Sequence, residues 1–261
     1  MRQVLARERL VSERIASLPG ASYIPSVSER SLTPDQQLDK RITVVIPAKN
    51  EARSLRELLP KITQITGNIL LVDGHSTDES ESLATKHGIR VVKDNQLGKG
   101  DAIRCAIPNI ETEITVFIDA DGSHDPGDIR ALVQPILDDR FDHVSGSRLI
   151  GGSSELHGGF DECFRLMGSS FITACINWRY GVRISESQNG FRAIKTEVLR
   201  ALNLRENITT IEQEMIMKTL KLGYRLGEVP THEYPRKYGS SHITLWRVAP
   251  RYVWTLFRYL L

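Results

Sequence analysis

Short apolar runs alternate with amphipathic stretches along residues 41–150 of this chain. The runs are rich in β-branched residues, as buried strands are, whereas the stretches between them repeat apolar residues at helical spacing. Strands are predicted at 42–46, 69–72, 89–93, 115–118 and 142–146, and helices at 51–64, 77–87, 98–107 and 127–138. This alternation predicts an α/β fold with a mostly parallel, Rossmann-like sheet and helices on both faces.

The pattern changes on both sides of this region. Beyond residue 151 it predicts longer helices near 160–178, 196–203 and 211–222, and a strand near 224–229. Ahead of it, an amphipathic helix near the start is followed by a Ser/Pro/Gln-rich linker. We therefore divide the chain into an N-terminal extension and linker (1–40), a main domain (41–243) and a C-terminal helical segment (244–261).

Composition narrows the class of protein. The net charge of +2 over 261 residues does not predict a nucleic-acid partner. The three cysteines are far apart, so neither a disulfide framework nor a zinc site is expected. No stretch approaches the roughly 20 apolar residues that span a bilayer. We therefore expect a protein that is soluble or peripheral to a membrane.

Polar side chains follow four of the predicted strands. The most informative are Asp119 and Asp121, directly after the strand at 115–118. Because the carboxyl ends of parallel strands share one edge, Asp73 after the second strand should lie near them. Carboxylate oxygens suit Mg²⁺ or Mn²⁺, which often share their coordination with substrate phosphates. Asn50 and Ser76 or Thr77 could simply cap helices, but capping does not explain three aspartates at one edge.

Six motifs in this order and spacing carry a resemblance: IPAKNE, LLVDGHSTDES, GKGDAI, VFIDADGSHDP, VSGSRL and SQNGFRAI. They resemble family 2 glycosyltransferases of the GT-A fold. The later segment EQEMIMKTLKLGYRLGEVP, followed by YPRKYGSSHI, is similar to dolichyl-phosphate mannose synthase and related polyprenyl-phosphate sugar transferases. The resemblance implies an inverting, metal-dependent enzyme that moves a hexosyl unit from a UDP- or GDP-linked sugar to a polyprenyl or dolichyl phosphate. It extends over residues 41–243.

The resemblance also assigns roles to particular residues. Asp121, Arg148 and Arg236 would be catalytic, and Asp119, Asp121 and Ser123 would hold Mg²⁺ or Mn²⁺. The donor side would comprise Pro47, Lys49, Glu51, Val72, Asp73, Gly74, Lys99, Asp119, Ala120, Asp121, Arg148, Arg236 and His242, and the acceptor side Gln188, Asn189, Arg192 and Glu214. Three residues depart from the mannose-synthase pattern. Lys49 replaces an aromatic residue, Gly74 an acid and His242 a lysine, and the first two favour uridine over guanosine.

Alternatives remain open. A phosphate acceptor is already anionic, whereas a hydroxyl acceptor needs a carboxylate base, for which Glu214 or Asp161 would serve. A non-catalytic nucleotide-sugar-binding subunit is a further alternative. A nucleotidyltransferase is disfavoured because Pro47-Ala48-Lys49-Asn50 stands where its Gly-rich phosphate loop would be. Mannose, glucose and N-acetylhexosamine donors all fit these motifs.

The C-terminal segment predicts a helix from about Ala249 to the end. Arg247, Arg251 and Arg258 share one side at helical spacing, and Val253, Leu256 and Leu260 share the other. Such a helix is typical of a membrane interface, which would place the protein at the cytoplasmic membrane face. The alternative is that its apolar side docks on the main domain or on a second subunit. Docking on a second subunit would imply a membrane-anchoring subunit or a homo-oligomer.

Overall fold

Seven strands form one sheet in the computed structural model, which describes residues 34–154, 160–238 and 245–260. The strands are β1 (Ile42–Ala48), β2 (Ile69–Asp73), β3 (Arg90–Lys93), β4 (Ile114–Phe117), β5 (His143–Ser147), β6 (Arg192–Lys195) and β7 (Leu226–Pro230). Their order across the sheet is β3-β2-β1-β4-β6-β5-β7. All neighbouring pairs are parallel except those of β6, which runs antiparallel to β4 and β5.

The helices occupy both faces of the sheet. They are α1 (Pro34–Arg41), α2 (Ala52–Thr63), α3 (Ser80–Lys86), α4 (Lys99–Ala106), α5 (Ile129–Leu137), α6 (Arg148–Gly151), α7 (Phe160–Tyr180), α8 (Thr196–Ala201), α9 (Ile211–Lys221) and α10 (Leu245–Leu260). Short 3-10 turns lie at Ile107–Asn109 and Pro126–Asp128. The α/β class and the mostly parallel sheet predicted from the sequence are confirmed.

Alternate residues of β1 supply two separate cores, because successive side chains of a strand point to opposite faces. Val44 and Ile46 pack with apolar residues of α2, α3 and α5. Val45 packs on the other face, with α4, α8 and α9. A third cluster joins α7, α9 and α10, and Leu226 of β7 packs against it. The last cluster matters for the site because it holds α7 and α10, which lie outside the alternating pattern of strands and helices at residues 41–150.

β6 is the strand that the hydrophobic pattern did not predict. It has four residues, and it lies in the segment SQNGFRAI, which the resemblance had assigned to the acceptor side. Val116 of β4 faces Ala193, and Val144 of β5 also faces Ala193. A four-residue strand with basic residues at both ends has too short an apolar run to be recognised by alternation.

The chain ahead of β1 also differs from the expected linker. Helix α1 ends directly at β1, and its Leu38 is buried in the core formed with α2. The ordered fold therefore begins before Arg41. The amphipathic helix predicted near the start of the chain lies outside the described residues.

Helix α10 begins at Leu245 and presents two apolar faces. Leu256 and Tyr259 are buried against α7 and α9, whereas Val253, Trp254 and Phe257 are exposed. In the predicted basic stripe, Arg251 and Arg258 both pair with Glu206, and the side chain of Arg247 lies outside the described residues. The expectation of a basic face opposite a single apolar face is corrected in this respect. No helix in the described parts of the chain is long and apolar enough to cross a membrane.

Candidate active site

A cavity of about 580 Å³ opens at the carboxyl ends of β1, β2, β4 and β5. This is where ligands bind in open α/β sheets. Most of the residues selected from the sequence line it: Pro47, Lys49, Glu51, Gly74, Lys99, Asp119, Ala120, Asp121, Ser123, Arg148, Gln188, Asn189 and Arg236. The topology thus brings together residues that are up to about 190 positions apart in the chain.

Asp121 lies in the turn after β4 and is nearly buried. One carboxylate oxygen, Oδ2, lies 3.0 Å from Nη2 of Arg236. The other, Oδ1, accepts hydrogen bonds from the backbone N–H of Ser123 at 3.0 Å and from its hydroxyl at 2.7 Å. Ser123 therefore orients Asp121, and Arg236 supplies its counter-charge.

Asp119 pairs with a different cation. Its Oδ1 lies 2.6 Å from Nζ of Lys99, and the same Nζ lies 2.6 Å from Oε1 of Glu212. Burial alone would raise the pKa of Asp119, but the positive charges of Lys99 and other neighbours bring it below its ordinary value. Burial would likewise lower the pKa of Lys99, and the two carboxylates raise it. The Asp119 carboxylate and the Lys99 ammonium are therefore both charged at neutral pH.

Gly190 fits tightly against this ion pair. A Cβ atom at that position would lie 2.6 Å from Oδ2 of Asp119 and 2.6 Å from Nζ of Lys99. Real Cβ contacts are longer than that, so a side chain here would displace both charged groups. The glycine therefore leaves room for Lys99 and Asp119 to meet.

Arg148 begins α6 and is held by two carboxylates. Its Nε lies 2.7 Å from Glu186, and its Nη1 lies 2.6 Å from Glu233. Glu233 belongs to the loop after β7, and in the same loop the backbone N–H of Tyr234 donates a hydrogen bond to the carbonyl of Ser123, in the turn that contains Asp121. These contacts fix the loop that carries Arg236, and so they place Arg236 beside Asp121.

The charges that line the cavity do not balance. Of the described residues, six carboxylates (Glu51, Asp94, Asp119, Asp121, Glu212 and Glu233) face four permanent cations (Lys49, Lys99, Arg148 and Arg236). His124 adds no charge at neutral pH, because burial lowers its pKa. A diphosphate would add further negative charge. A divalent cation fits this donor set, since Asp119 and Asp121 offer hard oxygen ligands.

The carboxylates do not form a complete metal cage on their own. Within the described ranges, no three His, Cys, Asp or Glu side chains come together as a metal-binding group. Two carboxylates suffice for Mg²⁺ where phosphate oxygens and water fill the other positions. The residues present thus fit a cation that is shared with a diphosphate ligand.

Four predicted site residues lie outside the cavity. Val72 is buried in the core, and Asp73 is buried in an ion pair with Lys93. Arg192 is fully buried and donates to the carbonyls of Asn189 and Glu212. The expectation that Arg192 faces an acceptor is corrected: it supports two segments of the cavity wall.

Glu214 also differs from its predicted position. Its carboxylate accepts hydrogen bonds from the backbone N–H groups of Arg205 and Glu206 and pairs with Lys218. It is therefore engaged by these neighbours and does not line the cavity. His242 and the side chain of Asp161 fall outside the described residues.

Part of the cavity wall was not predicted from the sequence. Glu212, Thr209, Glu233 and Tyr252 add polar groups, and Leu166, Phe171, Ile172, Ala249 and Val253 add apolar ones. Glu212 and Glu214 are two residues apart, so they point about 200° apart on a helix and only one can face the cavity. The backbone carbonyl of Glu212 accepts a hydrogen bond from the buried Arg192, which belongs to the unpredicted strand β6.

The apolar part of the wall comes from α7 and α10. Phe171 and Ile172 of α7 lie on one side, and Ala249, Tyr252 and Val253 of α10 lie on the other. The hydroxyl of Tyr252 donates to the hydroxyl of Thr209 at 2.7 Å, at the border with the charged part. The cavity therefore has a charged end at the sheet and an apolar end between two helices.

Comparisons with known proteins agree with this geometry. The family model for glycosyl transferase family 2 matches residues 43–202. Glycosyltransferase AglJ of Haloferax volcanii is 29% identical over 77% of this chain, which spans 65% of that protein. UDP-N-acetylglucosamine--dolichyl-phosphate N-acetylglucosaminyltransferase of Methanococcus voltae is 28% identical over 79% of this chain and 90% of its own length.

Solved structures share the fold at low identity. Glucosyl-3-phosphoglycerate synthase from Mycobacterium tuberculosis, in complex with Mg²⁺ and uridine diphosphate, superposes with a TM-score of 0.69 and 20% identity. The match covers 88% of this chain and 85% of that one. It confirms the GT-A architecture that the motifs predicted. With the family model matching more than half of its length, the chain belongs to glycosyl transferase family 2.

Proposed function

We propose that the protein transfers a hexosyl unit, with inversion, from a nucleoside diphosphate sugar to a polyprenyl phosphate. The observation that carries the proposal is the division of one cavity into a charged end and an apolar end. A sugar nucleotide needs the charged end for its diphosphate. A lipid phosphate needs both, because its anionic head and its hydrocarbon chain require different surroundings. The similarity to a dolichyl-phosphate transferase supports the same acceptor class.

The residues of the charged end match the needs of the donor. Arg236 and Arg148 offer fixed positive charge where a departing nucleoside diphosphate accumulates negative charge. Asp119 and Asp121 would hold Mg²⁺ or Mn²⁺, which when bound supplies further neutralisation of that charge. Pro47, Lys49 and Gly74 line the wall on the side of β1 and β2, where the nucleoside would lie.

The transfer step needs no proton acceptor. An oxygen of the acceptor phosphate forms a bond to C1 of the sugar from the face opposite the leaving group. The bond from C1 to the diphosphate oxygen breaks, and its electron pair leaves with the nucleoside diphosphate. The phosphate is already anionic near neutral pH, so no base has to remove a proton. The protein's contribution is to position both reactants and to stabilise the charge that develops.

A soluble hydroxyl acceptor is the second candidate. Such an acceptor would require a carboxylate base in contact with it. Glu214 does not meet this requirement, since its oxygens are already engaged by two backbone N–H groups and Lys218. Glu212 does line the cavity but pairs with Lys99. The occupied carboxylates and the apolar end together favour the phosphate acceptor.

The acceptor proposal is tested by incubation with labelled sugar nucleotides and Mg²⁺. One set of reactions contains a short polyprenyl phosphate, and a matched set contains soluble sugars or phosphoglycerate. We expect labelled product in the organic phase of the reactions that contain the lipid phosphate, and no labelled product from the soluble acceptors. Label that appears on the soluble acceptors, with none on the lipid, would support the hydroxyl-acceptor alternative.

Donor identity is a separate prediction. Lys49 and Gly74 both line the cavity and depart from the mannose-synthase pattern, so we expect UDP to bind more tightly than GDP. Calorimetry with each nucleotide in the presence of Mg²⁺ measures the difference directly. Tight binding of GDP with no measurable binding of UDP would show that these two residues do not select the base.

A membrane surface would bring the lipid acceptor to the apolar end. The exposed apolar residues of the two helices that form that end include Met167, Phe171 and Trp178 on α7 and Val253, Trp254 and Phe257 on α10. Exposed apolar patches of this kind mark interaction surfaces, and indole rings favour the membrane interface. We propose that this surface, rather than the predicted basic stripe, holds the protein at the cytoplasmic face of the membrane.

Serine at both Trp254 and Phe257 should weaken liposome binding by tenfold or more, because fully burying even one large apolar side chain contributes about 1.5–3 kcal/mol and about 1.4 kcal/mol corresponds to tenfold. Flotation of the full-length chain on anionic vesicles measures the effect. A chain ending at Leu245 is a poorer test, since it also loses the buried Leu256 and Tyr259. Leu222→Ser, on an exposed leucine at the end of α9, is the matched control. Equal flotation of the double variant and the wild type would exclude this surface.

A further inference from the structure

Each of the two carboxylates after β4 has a cation of its own. Lys99 lies 2.6 Å from Asp119, and Arg236 lies 3.0 Å from Asp121. A cation that used these carboxylates as ligands would have to share or displace both positive charges, because like charges at such short range repel strongly. The free protein is therefore poorly disposed to bind a divalent cation alone.

The two cations have different second supports. Lys99 has Glu212 as its other partner at the same distance, 2.6 Å, so it can lose contact with Asp119 and stay in place. Arg236 lies on the loop after β7. The N–H of Tyr234 ties this loop to the carbonyl of Ser123, and Lys237 and Tyr238 tie it to Glu57 of α2. Its side chain is about one third exposed. Both cations can therefore turn toward a ligand while their segments remain anchored.

We propose that Lys99 and Arg236 are exchangeable counter-ions: they pair with Asp119 and Asp121 in the free protein and turn to the phosphates when a divalent cation and the nucleotide bind together. The inference rests on the proposed function, since it assumes a nucleoside diphosphate ligand. It gives Lys99 a role in cation binding, in addition to its position on the donor side. The exchange makes cation binding depend on the nucleotide, because the phosphates must be present to receive the released positive charges.

Binding of Mn²⁺ to the full chain tests the proposal without any transfer reaction. Free Mn²⁺ is measured by its electron paramagnetic resonance signal, with and without UDP. In the wild type we expect weak binding alone and binding at least about tenfold tighter with UDP, as coupling between two ligands at one site usually gives. Lys99→Met should bind Mn²⁺ alone about tenfold more tightly than the wild type, since the competing charge is gone. UDP should then strengthen its Mn²⁺ binding less.

Further variants separate this role from a structural one. Arg236→Met alters an accessible loop residue, and it should show the same gain in Mn²⁺ affinity even where Lys99→Met does not fold. Glu212→Gln should have the opposite effect, because Lys99 would then pair with Asp119 alone. Lys93→Met, which removes the partner of Asp73 outside the cavity, should leave Mn²⁺ binding unchanged.

Tighter Mn²⁺ binding by Lys99→Met or Arg236→Met in the absence of UDP supports the exchange. Equal or weaker binding by every variant that folds overturns it, whatever the transfer activity. Absence of lipid-linked product with this binding pattern intact would instead count against the proposed acceptor.

Discussion

Asp121→Asn should reduce turnover by about 10²–10³-fold, the range found when a preorganised charge-stabilising group is removed from an active site. The substitution keeps the shape of the side chain and its hydrogen bonds with Ser123, but it removes the charge that pairs with Arg236 and that would hold the divalent cation. Steady-state transfer with a sugar nucleotide and a polyprenyl phosphate measures the effect. EDTA should inhibit the wild type reversibly.

The matched control for this variant is Asp125→Asn. Asp125 is exposed on the same turn, and its side chain accepts a hydrogen bond from the N–H of Gly127. It does not contribute to the described lining of the cavity. We expect nearly normal turnover from it. Full activity of Asp121→Asn, or of the wild type in excess EDTA, would remove the metal-centred mechanism.

Gly190→Ala should lower turnover by up to about 10²-fold, because a misplacement of about 1 Å in an active site can cost that much. The added methyl would overlap the carboxylate of Asp119 and the ammonium of Lys99. Both are side-chain ends, so they can shift without unfolding the protein. We therefore expect a large loss of turnover with little change in the midpoint of thermal unfolding, measured on the same sample.

Gly67→Ala provides the comparison for the glycine. A Cβ at Gly67 has its nearest neighbour, Oδ1 of Asp39, at 3.9 Å, which is an ordinary contact. This variant should match the wild type in both measurements. If Gly190→Ala keeps full turnover, Lys99 and Asp119 do not need their present positions for transfer. If it unfolds at a much lower temperature, the close approach is structural instead.

Most of the sheet could be predicted from the sequence because its strands are continuous apolar runs. β1, β2 and β4 are buried on both faces, and each is followed by polar residues that mark its end. That arrangement was sufficient to bring Lys49, Asp119 and Asp121 to one edge. β6 could not be predicted in this way, since Ala193 and Ile194 are the only apolar residues of a four-residue strand.

One error in the site concerns a residue of that strand. The resemblance assigned Arg192 to the acceptor side, and without β6 nothing in the hydrophobic pattern showed that this residue would be buried. With β6 in the sheet, Arg192 points into the core and supports Asn189 and Glu212. Whether Glu212 or Glu214 faces the cavity depends on the rotation of α9, which tertiary packing determines.

The C-terminal helix shows a second limit. Helical spacing correctly groups Arg251 with Arg258, but spacing contains no information about partners elsewhere in the chain. Both arginines pair with Glu206, which is about 45 residues away in sequence from the first of them. The same packing turns Val253 toward the cavity and leaves Trp254 and Phe257 exposed. A helix that was expected at the membrane interface therefore forms part of the candidate active site.

The most direct test of the account is the chemical nature of the bond that the protein forms. The product of a reaction with a sugar nucleotide labelled with ¹³C at C1 and a short polyprenyl phosphate is examined by ¹³C and ³¹P magnetic resonance. We predict that C1 couples to a single phosphorus in a lipid phosphodiester, with the anomeric configuration inverted relative to the donor. Label at C1 bonded to a hydroxyl oxygen of an acceptor, or retention of the donor's configuration, would contradict the account.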